Sequence, residues 1–463
     1  MSLELITDEL IARQPPEAQA IIRILLAKIA ELEARLNKTP QNSSLPPSTQ
    51  HPHAKPQATK PKSKKRRGGQ PGHARHERSL IPTAQCDEVV PLQPTECRRC
   101  GTKLSGCDPE PLRHQVWELP VMKPLVTEYQ QQRLRCPGCG DTTCAPLPAG
   151  VPRGQSGPKL VAFVALLMAC FRQSKRRTSL FVTSILNIPC CPSLTVKHQA
   201  LATQALQPAY AELVAALPTQ AQLNGDESPT KEGPIKSWLW TFVASTFTVF
   251  ALRGSRASTT ISELLGETFA GVMGCDRARM YWQCGRLQWC WAHLKRDFQA
   301  LIDDADHQVK RLGHDLMRPT QELFRHWSRC RDGTITRRSF ERLMTPIRDE
   351  IDGLLLRGAY SGNPRLTGMC RELHAHRDWL WTFLEVEGVE PTNNAAERAL
   401  RHAVIWRKLS FGTQSPAGSR FVETLLTTIE TCRQNDRSVF EFLTQAVTAH
   451  FHHQAAPSLL TGV

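Results

Sequence analysis

Four short apolar runs and one amphipathic stretch, in a fixed order, narrow the folds open to this chain. Residues 221–226 read Ala-Gln-Leu-Asn-Gly-Asp and residues 271–276 read Gly-Val-Met-Gly-Cys-Asp, so an acid closes each run. Between them lie Ser-Trp-Leu-Trp-Thr-Phe-Val-Ala at 237–244 and Phe-Thr-Val-Phe-Ala-Leu at 247–252, then a helical stretch at 260–269. Short apolar runs bounded by turn residues read as strands. The expected order is strand, strand, strand, helix, strand, with Asp226 and Asp276 ending the first and fourth strands. A third acid, Glu397, stands in Pro391-Thr-Asn-Asn-Ala-Ala-Glu397-Arg at the start of a helix. Its spacing from Asn394 also fits a capping box, in which it would serve a backbone N–H rather than a ligand. Glu227 beside Asp226 is a possible substitute for it.

The chain is long enough, at 463 residues, for two to four domains. Its formal charge of +15 favours a polyanionic partner, nucleic acid first. Residues 51–80 carry nine Lys or Arg against Glu77 alone, which is +8 of that +15. Residues 39–80 as a whole are rich in Pro, Ser, Gln, Lys and Gly and read as a disordered linker. Its basic arm holds Lys62, Lys64, Lys65, Arg66 and Arg67, which are candidates for phosphate contact. The acids in the first ten residues do not fit a signal peptide, and the longest apolar run, 160–171, is too short to span a bilayer. Sixteen cysteines in such a chain point to a reducing, cytoplasmic compartment, with thiols used for metal or packing.

Residues 17–38 predict a helix with Ile22, Leu25, Ile29, Leu32 and Leu36 on one seam, suited to self-association or to docking on the same chain. Residues 81–150 hold Cys97-Arg-Arg-Cys100-Gly and Cys136-Pro-Gly-Cys139-Gly. Two such knuckles read as one four-cysteine site for a structural Zn²⁺, with strands expected in 112–135. Residues 151–220 read as helices, with a break at 187–192 that allows either a DNA-binding helix-turn-helix or plain packed helices. Residues 221–445 are expected to hold the catalytic core with a helical insertion at about 297–375 and a fifth strand at 380–386, followed by a tail at 446–463.

The strand order resembles that of a ribonuclease-H-like domain. Further motifs add to it: Cys290-Trp-Ala-His293-Leu-Lys-Arg-Asp-Phe, Pro391-Thr-Asn-Asn-Ala-Ala-Glu397-Arg-Ala-Leu-Arg401, and Arg407-Lys-Leu-Ser-Phe-Gly-Thr-Gln-Ser415. With Asn42-Ser-Ser-Leu-Pro-Pro-Ser48, Arg67-Gly-Gly-Gln-Pro-Gly-His73, the double knuckle and Thr431-Cys-Arg-Gln, they resemble the transposases of the insertion sequence 66 family over roughly 40–445. The resemblance implies a multidomain α/β protein with a ribonuclease-H-like DDE core. It implies that Asp226, Asp276 and Glu397 bind two Mg²⁺ or Mn²⁺ ions, because paired ions clamp the attacking and leaving oxygens at a phosphate. The reaction implied is cleavage at the element's ends, then attack of the freed 3′-OH on target DNA. Cys290 and His293 match the family's C-x2-H pair, to which a structural role is assigned. Arg398, Arg401, Arg407 and Lys408 would contact phosphates. Element-end and target DNA, a homodimer or higher assembly, accessory proteins of the element and a nucleoid location follow as expectations. The rival readings are an inactive zinc DNA-binding protein descended from a transposase, and a ribonuclease-H-like nuclease such as a resolvase. Gly225, Ser228, Cys275 and Arg277 depart from the family's commoner residues around the two Asp positions.

Overall fold

The computed structural model describes residues 8–36, 42, 72–73 and 78–460. They fall into two compact units, one of Pro52–Lys123 and one of Met1–His51 with Pro124–Val463. The boundary at 123 divides the region expected to be a single zinc domain, so each knuckle lies in its own unit. In the larger unit two helices come first, α1 (Asp8–Ala12) and α2 (Pro16–Leu36). On α2, the seam residues Leu25 and Leu32 are 56% and 46% exposed, while Ile22 and Ile29 are half-buried. The arm residues Lys62, Lys64, Lys65, Arg66 and Arg67 lie outside the described residues.

Of the strands expected within 112–135, only β1 (Arg133–Arg135) forms, paired antiparallel with β2 (Thr142–Cys144) around the second knuckle. Alternation alone does not make a strand. A strand needs a partner, and residues 112–132 have none among the described residues.

Helices α3 (Pro158–Ala169), α4 (Lys175–Leu186) and α5 (Pro192–Ala216) follow. Their limits are written locally. Pro158 and Pro192 occupy first-turn positions, where a missing N–H costs nothing. The Ser174 hydroxyl accepts the Arg177 N–H, and Asn187 ends α4 in the left-handed region at φ 56°. α3 is buried on nearly all sides, and its Val161, Val164 and Leu167 belong to the same core as Leu223 and Trp240 of the sheet. The helices at 158–216 thus share a core with the region expected to be a separate catalytic domain.

That region contains a five-stranded sheet: β3 (Gln222–Glu232), β4 (Ile235–Val243), β5 (Thr248–Arg253), β6 (Val272–Cys275) and β7 (Arg286–Trp289), with α6 (Ser258–Leu265) joining β5 to β6. The spatial order is β5-β4-β3-β6-β7. β4 is antiparallel to both neighbours, whereas β3, β6 and β7 are mutually parallel. β3 does not end at Asp226. It continues to Glu232 against β4, since β6 pairs only as far as Asn224↔Gly274; on that flank its last residues meet Thr413, whose N–H donates to the Lys231 carbonyl at 2.9 Å. Pro229, which has no N–H to give, is tolerated in β3 because that flank has no strand beside it.

Eight α-helices follow among the described residues: α7 (Trp291–Ile302), α8 (His307–Arg331), α9 (Arg337–Ala359), α10 (Pro364–Ala375), α11 (Asp378–Glu385), α12 (Asn394–Ser410), α13 (Pro416–Gln434) and α14 (Val439–Phe451). The expected fifth strand at 380–386 is a correction. That segment is α11, and the fifth strand is β7. Leu380, Trp381, Thr382 and Phe383 are all buried, and a fully buried short run has no periodicity to separate strand from helix. The expected tail beginning at 446 also fails, because α14 runs through that point and buries Ala446 and Val447 in the core.

Both edges of the sheet are closed by helix side chains. From α13, Glu423 Oε1, Thr427 Oγ1 and Thr431 Oγ1 accept the N–H groups of Leu252, Phe250 and Thr248 at 2.5, 2.9 and 3.2 Å. At the other edge, Thr382 of α11 donates to the Leu287 carbonyl at 2.5 Å, and Gln288 Oε1 accepts the Phe383 N–H at 2.8 Å. Among the described residues no helix is long and apolar enough to cross a membrane.

Candidate active site

Asp226 and Asp276 come together because β3 and β6 are adjacent and parallel. Asp226 lies two residues past the last β3–β6 pair, and Asp276 is the first residue after β6. The Asp226 carboxylate accepts the N–H of Glu227 at 2.9 Å, and that of Asp276 accepts the Ala278 N–H at 2.8 Å. Glu227 has firmer partners. Tyr281 donates its hydroxyl at 2.6 Å and Arg256 Nε donates at 2.7 Å, which leaves the Glu227 side chain 3% exposed. Arg256 and Tyr281 hold Glu227 in place, so it is a poorer stand-in for Asp226 than its position in the sequence suggests. Gly225 makes room for this arrangement: a Cβ there would come within 3.0 Å of both Met273 Sδ and the Tyr281 ring.

The third acid arrives on α12. Asn393, buried at the helix N-terminus, donates its side-chain amide to the Gly225 carbonyl at 2.6 Å, one residue before Asp226. Its backbone N–H points to Cys290 Sγ at 3.2 Å, and the Pro391 carbonyl accepts the Trp291 N–H at 2.9 Å. β3, α7 and α12 are therefore tied together at one point. The capping box does not form. Asn393 rather than Asn394 is the cap residue and makes no side-chain cap bond. The Glu397 carboxylate turns instead to α7, with Oε1 2.9 Å from His293 Nε2 and 3.7 Å from Arg296.

The electrostatics follow from burial and like charge. Burial pushes the Asp226 carboxyl well above the usual carboxylate range, and the charges of Glu227, Asp276 and Glu397 push it further. Asp276 is also raised, by burial first, while the Ala278 N–H, Arg256 and Arg277 pull the other way. Glu227 is raised by burial and by Asp276, against Tyr281 and Arg256. Burial holds the Cys290 thiol up, to about 12. A pocket that gathers carboxylates and leaves Asp226 with no cationic side chain of its own is chemically suited to a hard divalent cation held by oxygen.

The two cysteine knuckles have one backbone design. In each, the first cysteine's carbonyl accepts the N–H of the following glycine at 2.9 Å, Gly101 for Cys97 and Gly140 for Cys136. Both glycines sit at positive φ, 72° and 75°. Hydrogen bonds lower the thiols of Cys100, chiefly from Thr102, and of Cys136, chiefly from the N–H groups of Cys139 and Gly138. Cys100, Cys136 and Cys139 are exposed and no apolar core surrounds β1 and β2, as in a segment that relies on a metal to fold.

Of the basic residues after Glu397, Arg398, Arg401 and Lys408 reach solvent. Arg407 is half-buried and donates to Ser228 Oγ at 2.8 Å and to the Pro229 carbonyl, so it joins α12 to β3. Two further acids later in the chain, Glu423 and Glu430, are occupied elsewhere. Glu423 caps β5 and pairs with Arg253 and Arg420 at 3.0 and 2.9 Å, and Glu430 pairs with Arg433 at 2.5 Å. Reasoning from sequence misses Asn393, Arg256 and Tyr281. Only the Asn-Asn doublet at 393–394 hints at the first.

The fold and site define an α/β protein with a carboxylate cluster at the carboxyl ends of the parallel strands of a mixed sheet. The family model Transposase IS66 family matches residues 153–420, more than half of the chain, and the chain belongs to that family. Residues 4–79 match a family of unknown function, DUF6444. A curated relative, the uncharacterized protein y4qI of Sinorhizobium fredii (strain NBRC 101917 / NGR234), is 24% identical over 244 residues, which is 46% of this chain and 43% of that protein. The chain thus spans less than half the length of that relative.

Proposed function

We propose that the chain is a DDE transposase with a ribonuclease-H-like core, in which Asp226, Asp276 and Glu397 hold two Mg²⁺ or Mn²⁺ ions for cleavage at the element's ends and strand transfer into target DNA. The observation that carries this reading is the half-buried Asp226 carboxylate, which feels the like charges of Glu227, Asp276 and Glu397 and has a backbone N–H as its donor. Such a gathering is unfavourable until a cation joins it. The sheet order, with its first three strands antiparallel and the next two parallel to the first, supports the core assignment.

When bound, the divalent ions supply Lewis acidity at the scissile phosphate and a water made nucleophilic at neutral pH. Asp226 and Asp276 offer oxygens from two strands whose pairing fixes their separation. Asn393 keeps the start of α12, and with it Glu397, close to β3. Arg398 and Arg401, on α12 just beyond Glu397, contact the phosphates flanking the cut. Cys97, Cys100, Cys136 and Cys139 hold one structural Zn²⁺, and the basic arm adds salt-sensitive affinity for DNA. The active form is a homodimer or larger assembly on DNA.

The test is cleavage of element-end DNA with Mg²⁺ by Asp226→Asn, Asp276→Asn and Glu397→Gln, with DNA binding measured alongside. Each variant should bind DNA and fail to cut it. Near-normal cutting by Glu397→Gln, which a merely structural residue would permit, would remove Glu397 from the site. DNA binding with no cutting by the parent chain on its own element ends would favour the inactive DNA-binding reading.

A further inference from the structure

The pair Cys290 and His293 is not absorbed by the proposed chemistry, yet it faces one of its residues. Cys290 Sγ, His293 Nε2 and a Glu397 carboxylate oxygen all lie within 4.8 Å of one another. Cys290 immediately precedes α7 and His293 is in its first turn, a spacing that turns both toward α12. Glu397 Oε1 is buried and makes no hydrogen bond, although His293 Nε2 is 2.9 Å away. Two ligand atoms this close, one of them buried without a hydrogen bond, are spaced to share a cation. A tetrahedral metal would hold such N and O atoms about 3.3 Å apart, given metal–ligand bonds of about 2.0–2.1 Å, so the His293–Glu397 pair would open by only a few tenths of an ångström. Cys290 Sγ already accepts the Asn393 N–H at 3.2 Å, a contact that favours negative charge on sulfur.

The donor set differs in kind from that of Asp226 and Asp276. One sulfur, one imidazole nitrogen and one carboxylate oxygen suit Zn²⁺, while an all-oxygen set suits Mg²⁺ or Mn²⁺. We propose that Cys290, His293 and Glu397 form a three-ligand Zn²⁺ site whose occupancy withdraws Glu397 from the acid cluster. The regulatory half rests on the reading of Glu397 as a catalytic ligand; the site itself does not. Binding releases the Cys290 proton to solvent, and water fills the fourth position. Arg296, 3.7 Å from the same oxygen, supplies the positive charge that Glu397 faces without metal and is displaced when zinc arrives.

The experiment uses the full-length protein with zinc alone as the probe, counting bound Zn²⁺ and its affinity by titration after removal of loose metal. Compared with the parent chain, Cys290→Ser, His293→Gln and Glu397→Gln should each weaken one zinc equivalent by more than the roughly 10–100-fold cost of losing an outer-shell partner. Cys136→Ser should keep that equivalent and lose the other. Cys290 is buried, so His293→Gln, checked for an unchanged melting curve, decides the matter if Cys290→Ser fails to fold. Equal zinc number and affinity in the parent chain and His293→Gln would overturn the site. Added Zn²⁺ should inhibit Mg²⁺-dependent cleavage by the parent chain, and inhibition unrelated to filling of this equivalent would overturn its coupling to Glu397. If Glu397→Gln cuts normally while its zinc binding is weakened, the site stands and the catalytic reading of Glu397 falls. If it fails to cut with zinc binding intact, the reverse holds.

Discussion

Replacing Asn393 tests whether the acid cluster is assembled by a single amide. Its side-chain N–H donates to the Gly225 carbonyl at 2.6 Å, and Asn393 is 1% exposed. Its Oδ1 has no partner, so Asn393→Ala removes one hydrogen bond and not two. Loss of a bond whose partner stays buried costs about 1–3 kcal/mol. That corresponds to local opening of the start of α12 becoming roughly five- to 150-fold more frequent, taking a factor of ten per 1.4 kcal/mol. Hydrogen exchange of a peptide covering 391–400 reads this directly, and the Mg²⁺ concentration needed for half-maximal cleavage should rise in step, since Glu397 sits one turn further on. Asn393→Asp should be worse, because an acceptor would then face a carbonyl beside an acid cluster. Unchanged exchange protection at 391–400 in Asn393→Ala would refute the tether, whatever happened to activity.

Stability without metal should respond to the buried acids. Asp226 in the unfolded chain titrates near the ordinary value of about 3.9; folded, it titrates higher, so the folded state holds more protons and stability falls as pH rises through that window. Asp226→Asn removes this penalty. Without metal it should melt above the parent chain at neutral pH, with the difference closing in acid, and it should gain less from Mg²⁺; calorimetry without and with Mg²⁺ checks both. Cys136→Ser should lose one tightly bound zinc by elemental analysis and raise proteolytic sensitivity around β1 and β2. Neutralising Lys64, Lys65, Arg66 and Arg67 together should reduce the slope of log affinity against log salt on duplex DNA by roughly 0.9 for each phosphate no longer neutralised, and an identical slope would exclude any role of the arm at the DNA backbone.

The order of the first four strands was legible because each is an apolar run closed by turn residues, and the hairpin and crossover between them left little choice of pairing. β7 was not legible. Arg286-Leu-Gln-Trp is too short to alternate visibly, and its partner α11 offers a more hydrophobic run that imitates a strand. Asp226 and Asp276 could be found because they sit at the ends of apolar runs. The direction taken by Glu397 could not, because Asn394-Ala-Ala-Glu397 satisfies a local rule that the folded chain does not use. What decides it is His293, about a hundred residues away, and the Asn393 amide, whose partner Gly225 is invisible to any local pattern.

The side-chain ladder between α13 and β5 has a built-in limit. Four helical residues advance about 6.0 Å, and two strand residues about 6.6–6.8 Å. The two repeats therefore work as a vernier that agrees over a short span and drifts with each step. Glu423, Thr427 and Thr431 cover Leu252, Phe250 and Thr248 with lengths that grow from 2.5 to 3.2 Å, and β5 begins at Thr248, where the match runs out. One residue inserted between Glu423 and Thr431 would swing the later rungs by about 100° and reopen the edge. Within α13 the spacing of these side chains is consequently as constrained as their identity. The closed β5 edge also denies an incoming strand the N–H groups of Thr248, Phe250 and Leu252, so the sheet is not extended on that side.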